Sequence, residues 1–401
     1  MSKSILLLPG TKWQVELAKT IKKLGYTLYV VDPSKTCSCE QYADIFLNVD
    51  IYDQVSIDDF IKQHPIDGVI SDECDIATPI VTRIGQKFNL QNIGYEMSRL
   101  YTDKYAMREF CKKNKMLYPE YKMCRTIQEL KALYNDIGEK IIIKPLDSNA
   151  SKGVFTIKEE KDIDKHFYEC IKYSRIEEAV IAERYIEGEE FTVDGIVTPM
   201  GYYTLAISEK KHFCHNENIA NELYFTHYNE KYDYDMLKKI NEEFVLKSGL
   251  KYGLTHAEYK YENGKFYLIE IAARGGGNKI SSLITHYMSG YDTYDYLIEC
   301  VLGNVQKLQY NLKSKYQNRA MILKFFDIPC HQGKVSDIQG IEYLENNPNI
   351  FDYYFSFQIG DVISDCISDS ARVGYYIAGA DSKEELDKVI NNINEKVKII
   401  M

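Results

Sequence analysis

The sequence predicts a mixed fold, α/β at its start and α+β beyond. An open parallel sheet should come first, then a β-rich middle and a closing α+β stretch. Three observations carry this. Short apolar runs alternate with helical periodicity over the first hundred residues, the signature of βαβ units. From Tyr101 onward, strand-like runs outnumber the helical patches between them, and after Gly303 both kinds of segment return.

The elements follow in order. Ile5, Leu6, Leu7 and Leu8 form a first strand that Pro9-Gly10 ends. Leu17, Ile21 and Leu24 recur at i, i+4 and i+7, and Gly25 stands where a helix C-cap belongs. Residues 28–31 read as the next strand, closed by Asp32-Pro33; Val69-Ile70 and a helix from near Ile76 continue the alternation. A charged helix at 104–114 leads through Pro119 to strands at 141–144, 154–157, 179–183, 191–197 and 202–207. Helical patches lie at 162–173 and 235–247, and a last helix at 383–397 carries a capping box of Ser382 and Glu385.

A chain of 401 residues is expected to divide into two or three domains. The net charge of −10 argues against a nucleic-acid partner, which would call for a basic stripe. No apolar run reaches bilayer length, and the apolar stretch at the N-terminus is too short for a signal peptide. Ten cysteines without a paired Cys/His motif read as free thiols of a reducing cytosol, so a cytoplasmic protein without membrane contact is expected. A dinucleotide-binding domain competes for the first hundred residues. However, Pro-Gly-Thr-Lys-Trp-Gln follows the first strand where that fold needs G-x-G-x-x-G.

Four features beyond residue 100 bear chemistry. Lys144 ends an apolar strand beside the small polar loop 147–153, an arrangement suited to phosphate; the alternative is a snorkelling lysine beside a plain turn. Glu183, Arg184, Tyr185 and Ile186, followed by Glu190, can pass backbone groups along an adenine edge and offer carboxylates to ribose hydroxyls; alone, this is an acidic turn. Glu258 and Glu270 stand on two strands joined at Asn263-Gly264 and can chelate magnesium from one face. A two-residue turn would put them on opposite faces. A three-residue turn pairing Tyr261 with Lys265 is therefore expected, unless a bulge resets the parity. Lastly, Gly275, Gly276 and Gly277 before a helix form an anion-binding nest beside Arg274, where the alternative is a flexible loop.

Together and in this order, these features resemble the ATP-grasp superfamily, nearest its carboxylate–amine ligases and its purine-biosynthesis and carbamoyl-phosphate-synthetase-like members. The resemblance covers nearly the whole chain. It implies an N-terminal α/β pre-grasp domain (1–100), a two-lobed ATP-grasp domain (101–310, lid lobe about 118–187) and a C-terminal α+β domain (311–401). It implies Lys104 and Lys144 as phosphate-binding lysines, and Ser148, Asn149, Ser151, Lys152 and Gly153 as the covering loop. Glu183, Arg184, Tyr185 and Ile186 become the adenine hinge, Glu190 the ribose acid, Glu258 and Glu270 the metal ligands, and Arg274 the phosphoryl-stabilising arginine. Two positions depart from the pattern: Ala272 replaces a common asparagine, and Ala150 a loop glycine.

The implied reaction is phosphorylation of a carboxylate by ATP with Mg2+ (Mn2+ as the alternative ion), then capture of the acyl phosphate by an amine. The partners are then small carboxylate and amine substrates, with a homodimer as the assembly to test. His256 should face the metal site as general base, substrate contact or structural histidine, while His212 and His215 are weaker candidates on a substrate loop at 210–221. A phosphoribosylglycinamide synthetase-type ligase is the runner-up, with Arg319 and Arg372 as its loose phosphate candidates; a non-catalytic ATP-binding regulator is the reading from another class.

Overall fold

In the computed structural model, which describes residues 2–148, 151–175, 177–327, 333–363 and 371–401, the first apolar runs are fully buried. Strands β1 (Ser4–Leu7), β2 (Thr27–Val31), β3 (Ile45–Leu47) and β4 (Gly68–Ile70) form a parallel sheet in the order β3-β2-β1-β4. Both faces are covered, which is why these strands are continuously apolar. Ile5 and Leu7 pack with Leu17 and Ile21 of the helix Val15–Lys23 on one side. Leu6 and Leu8 pack with Ile57, Ile61 and Ile84 on the other.

A second sheet is antiparallel: β5 (Tyr121–Cys124), β6 (Ile141–Pro145), β7 (Phe155–Ile157) and β8 (Val180–Arg184), in the order β5-β8-β6-β7. Helices Ile127–Ile137 and Ile163–Ile171 cover one face, with Leu130, Leu133 and Phe167 against Ile141, Ile143 and Val180.

The largest sheet is also antiparallel. It contains β9 (Glu190–Thr198), β10 (Gly201–Phe213), β11 (Asn216–Phe225), β12 (Gly253–Glu262), β13 (Lys265–Ala272) and β14 (Ala320–Phe325). The order β13-β12-β9-β10-β11-β14 continues through the strands Gly374–Ala380 and Ile350–Phe355. Three strands from the last ninety residues thus extend this sheet. The polar stretch 210–221, read from sequence as a loop, is the β10–β11 hairpin, whose strands bury Phe213, Ile219, Ala220, Leu223 and Phe225. Helix Lys383–Lys396 packs on the C-terminal strands; of its expected capping box the structure shows the Ser382 arm, which accepts from the Glu385 N–H.

The β12–β13 hairpin decides where the carboxylates point. Its turn has two residues, not the expected three: Glu262 pairs with Lys265, and Asn263 (φ 50°) and Gly264 (φ 80°) both adopt the left-handed conformation that such a turn needs. Phe266 and Leu268 face the hydrophobic core, so unbroken alternation would send Glu270 there too. A bulge intervenes. Tyr259 pairs with Leu268 but Glu258 pairs with Glu270, leaving Ile269 over. Ile271 then returns to the core, and Glu270 stands directly across from Glu258.

Candidate active site

Four neighbouring strands place a polar array on the face of the large sheet opposite its core. Phe191, Val193, Ala257 and Tyr259 pack against Leu237, Phe244 and Val245 of the helix Tyr234–Ser248. Their alternating neighbours point the other way in cross-strand rows. One row is Lys210, Glu190 and Lys260; the next is Ser208, Thr192, Glu258 and Glu270; the third includes Asp194, His256 and Ala272. Facing this array across a cleft is the second sheet, with Ile142 and Lys144 from β6 and Glu183 from β8. Lys104 enters from the start of the helix Lys104–Lys113, which Asp103 caps by accepting from the Tyr105 and Ala106 N–H groups.

The cleft is rich in compensated charge. Lys104 Nζ donates to Glu270 at 3.0 Å and to the Ser148 carbonyl at 2.9 Å. Burial works against the Lys104 ammonium, but Glu270 outweighs it and its pKa is raised. Lys144 Nζ donates to Glu183 at 2.7 Å, yet burial and the nearby Arg108 leave its pKa below the ordinary lysine value. Glu183 is buried; Arg108 and Lys144 overcome that burial and hold its pKa at about 2.

Lys210 lies between Glu190 (2.5 Å) and Glu258 (2.8 Å). Burial disfavours both carboxylates, but Lys210 more than offsets it: Glu190 is held at about 2 and Glu258 well below the usual range. His212 Nε2 lies 3.3 Å from the other Glu190 oxygen. The free space here is about 110 Å3, small for a nucleotide.

Lys104, Lys144, Ser148, Ser151, Glu183, Arg184, Tyr185, Ile186, Glu190, Glu258 and Glu270 all line this cleft. Lys152 and Gly153 do not line it, and Asn149 and Ala150 lie outside the described residues. Within the hinge, the Glu183 carboxylate is engaged by Lys144 and Arg108, and the Arg184 and Tyr185 N–H groups donate to the Glu120 and Lys140 carbonyls. Arg184 pairs with Glu262, and Gly188 (φ 96°) passes so close to β12 that a Cβ there would lie 2.2 Å from the Tyr261 carbonyl oxygen.

Two assigned residues lie beside the cleft, not in it. His256 Nδ1 contacts Asp194 at 2.9 Å, and Nε2 lies 3.8 Å from Glu258. Burial opposes its charge, but Asp194 raises its pKa to about 9, so at neutral pH it is an imidazolium and a poor general base. Arg274 is held by Asp75 of the N-terminal domain through Nε at 2.7 Å and an Nη at 2.8 Å. The glycine nest is likewise filled by protein carboxylate: Gly275 N–H and Ser281 Oγ donate to Asp72, and Lys279 N–H and Ser282 Oγ to Glu73. Burial, with Asp72 beside it, raises Glu73 to about 8. Burial raises Asp72 as well, so two carboxyl groups of the chain, both with raised pKa, meet the edge of the nest where an external anion was expected.

Reading the sequence missed Lys210, Lys260 and Arg108. Lys210 and Lys260 become visible only as the cross-strand partners of Glu190, and Arg108 follows Lys104 by one helical turn.

The donor set suits Mg2+ bound together with phosphates. Among the described residues no group of three or more His, Cys, Asp or Glu side chains forms a closed metal cage, and Mg2+ typically takes one or two carboxylates with substrate phosphates. Glu258 and Glu270 supply that opposed pair of hard oxygens.

Two family models match the chain: the ATP-grasp domain over residues 137–282, and L-amino acid ligase C-terminal domain 2 over residues 325–401. Formate-dependent phosphoribosylglycinamide formyltransferase of Chlorobium phaeobacteroides is 26% identical over 166 residues, covering 41% of this chain and 42% of that one. Dapdiamide A synthase of Enterobacter agglomerans is 24% identical over 220 residues, covering 54% and 52%. The chain thus spans about half the length of these curated relatives. L-amino acid ligase from Bacillus licheniformis shares the fold with a TM-score of 0.86 at 16% identity, covering 100% of this chain and 98% of that one. Phosphoribosylglycinamide synthetase from Anaerococcus prevotii does so with 0.74 at 19% identity over the full length of both. Two facing lobes, an opposed carboxylate pair in the cleft between them and the matching model lead to one assignment: the chain carries an ATP-grasp domain, matched over residues 137–282.

Proposed function

We propose that the protein is an ADP-forming ligase that phosphorylates a carboxylate with ATP and joins the acyl phosphate to an amine. The observation that carries this reading is the cross-strand pair Glu258 and Glu270 facing Lys104 and Lys144 within one cleft. Lys104 and Lys144 hold the phosphates, the backbone of 184–186 meets adenine, and Glu190 takes the ribose. Glu258 and Glu270 hold Mg2+ (or Mn2+), which supplies charge neutralisation at the phosphate oxygens. The remaining work is positioning and electrostatics. Lys210 shifts from the carboxylates toward the phosphates, and loop 148–153 shields the acyl phosphate from water.

In the domain division 1–100, 101–310 and 311–401, the first part braces Arg274 and the loop after it through Asp72, Glu73 and Asp75. The match of 325–401 to an L-amino acid ligase domain makes amino acids the first candidates for both acid and amine. Of the two arginines that the phosphoribosyl reading would use, Arg319 pairs with Asp381 over the Tyr287 ring, and Arg372 donates to the Ala220 carbonyl over Phe325.

The test is an ADP-release screen pairing carboxylates with amines, followed by mass analysis of products and trapping of the acyl phosphate with hydroxylamine. ADP and a condensed product from an acid–amine pair are expected. Magnesium-dependent ATP binding without ADP release across the panel would instead support a regulatory protein.

A further inference from the structure

Resting on that reading, we propose that Arg108 is a positioning residue that holds the metal carboxylate Glu270 and the phosphate lysine Lys144 in their working geometry through one guanidinium group. Arg108 stands one helical turn after Lys104 on the same face of the helix Lys104–Lys113, and it is completely buried. Its Nε donates to Glu183 Oε1 at 2.5 Å, and the other Glu183 oxygen accepts from Lys144 at 2.7 Å. Its Nη2 donates to the carbonyl of Ile269 at 2.6 Å. Ile269 is the residue that the β13 bulge leaves over, and that bulge turns Glu270 out of the core to face Glu258. One planar fork therefore ties the bulge of β13 to the acid that aims Lys144.

Stability alone gives little reason for this arrangement. Buried ion pairs are often replaceable by hydrophobic side chains without loss, and the Nη1 of Arg108 has no hydrogen-bond partner among the described residues. The two contacts Arg108 does make lead to groups that meet the triphosphate and its metal.

The test uses the full chain with Arg108→Lys and Arg108→Met. The lysine keeps a charge beside Glu183 but cannot also span to Ile269. The methionine leaves Lys144 and Glu183 as a balanced pair, so no buried charge stands unpaired in that variant, and circular dichroism establishes which variants are folded. Four readouts are taken: half-saturating free Mg2+, kcat and KM for ATP, Mn2+ binding followed by electron paramagnetic resonance, and amide hydrogen exchange across 258–272. Loss of such a supporting group typically costs ~10–100-fold in metal affinity or activity, and that rise in the Mg2+ and Mn2+ requirement is expected, with faster exchange at 269–271. A kcat that falls more than KM rises supports positioning. The proposal is overturned if a folded variant keeps its metal requirement and its exchange at 269–271 within about twofold of wild type. Metal binding and exchange need neither acid nor amine, so they stand or fall apart from the ligase reading.

Discussion

Lys210 is the internal counter-ion of the cleft, and replacing it with methionine measures how much charge the site stores. Its ammonium is 2.5 Å from Glu190 and 2.8 Å from Glu258. At an effective dielectric of about 20, those distances correspond to gross attractions of about 7 and 6 kcal/mol. Desolvation cancels much of this, and removing one partner from a buried ionic set typically costs about 3–5 kcal/mol. The Glu258 side chain is 25% exposed, which favours the lower figure. At roughly 2–4 °C per kcal/mol, Lys210→Met should melt about 6–12 °C below wild type in Mg2+-free buffer. Glu258 then lacks its cation, and the Glu258–Glu270 pair binds Mg2+ more tightly. A tenfold gain in affinity adds about 1.4 kcal/mol of stabilisation at saturating metal. Differential scanning fluorimetry with and without Mg2+ reads both effects. Melting within about 2 °C of wild type, or equal stabilisation of both proteins by Mg2+, would refute the counter-ion reasoning.

Other outcomes follow from the same geometry. Lys144→Ala and Glu270→Gln should each lower turnover about a hundredfold, the ~3 kcal/mol typical of one preorganised charge, with unchanged far-UV circular dichroism; steady-state kinetics decides. Glu183 and Glu190 are held at about 2 against an ordinary 4.5. Between those values the unfolded chain binds more protons, so their stabilisation is complete above pH 4.5 and lost as pH falls toward 2. Each contributes on the order of 3 kcal/mol, and acid titration of Glu183→Gln should show a correspondingly flatter limb. Asp75→Asn weakens the clamp on Arg274, which lies outside the nucleotide cleft; turnover should fall about tenfold with ATP affinity within about twofold, as calorimetry and kinetics together would show.

Much of the fold was legible because it rests on local pattern. Continuous apolar runs with caps between them announce a parallel sheet covered on both faces, and Leu17, Ile21 and Gly25 mark its first helix without any tertiary information. The extension of the large sheet by residues 320–380 was not legible, because strand order is set by non-local pairing that leaves no trace in spacing. The same limit hid Lys210 and Lys260. Each is an ordinary strand lysine until β9 brings Glu190 between them.

Glu258 and Glu270 show where sequence reasoning has to stop. Their separation is even, so a two-residue turn on regular strands would put them on opposite faces; function demands one face. That conflict predicts an irregularity but not its location. A longer turn and a bulge both repair the parity, and Asn263-Gly264 is among the strongest signals for the shorter turn. Given that turn, the irregularity must fall between Leu268, which the core requires, and Glu270, which the cleft requires. Only Ile269 lies between them. A bulge exposes a carbonyl that a ladder would have used, and the structure meets it with Arg108 from a helix 161 positions earlier in the chain. The irregular residue and its distant donor are thus two consequences of one parity constraint, which is why neither is intelligible from its own neighbourhood in the sequence.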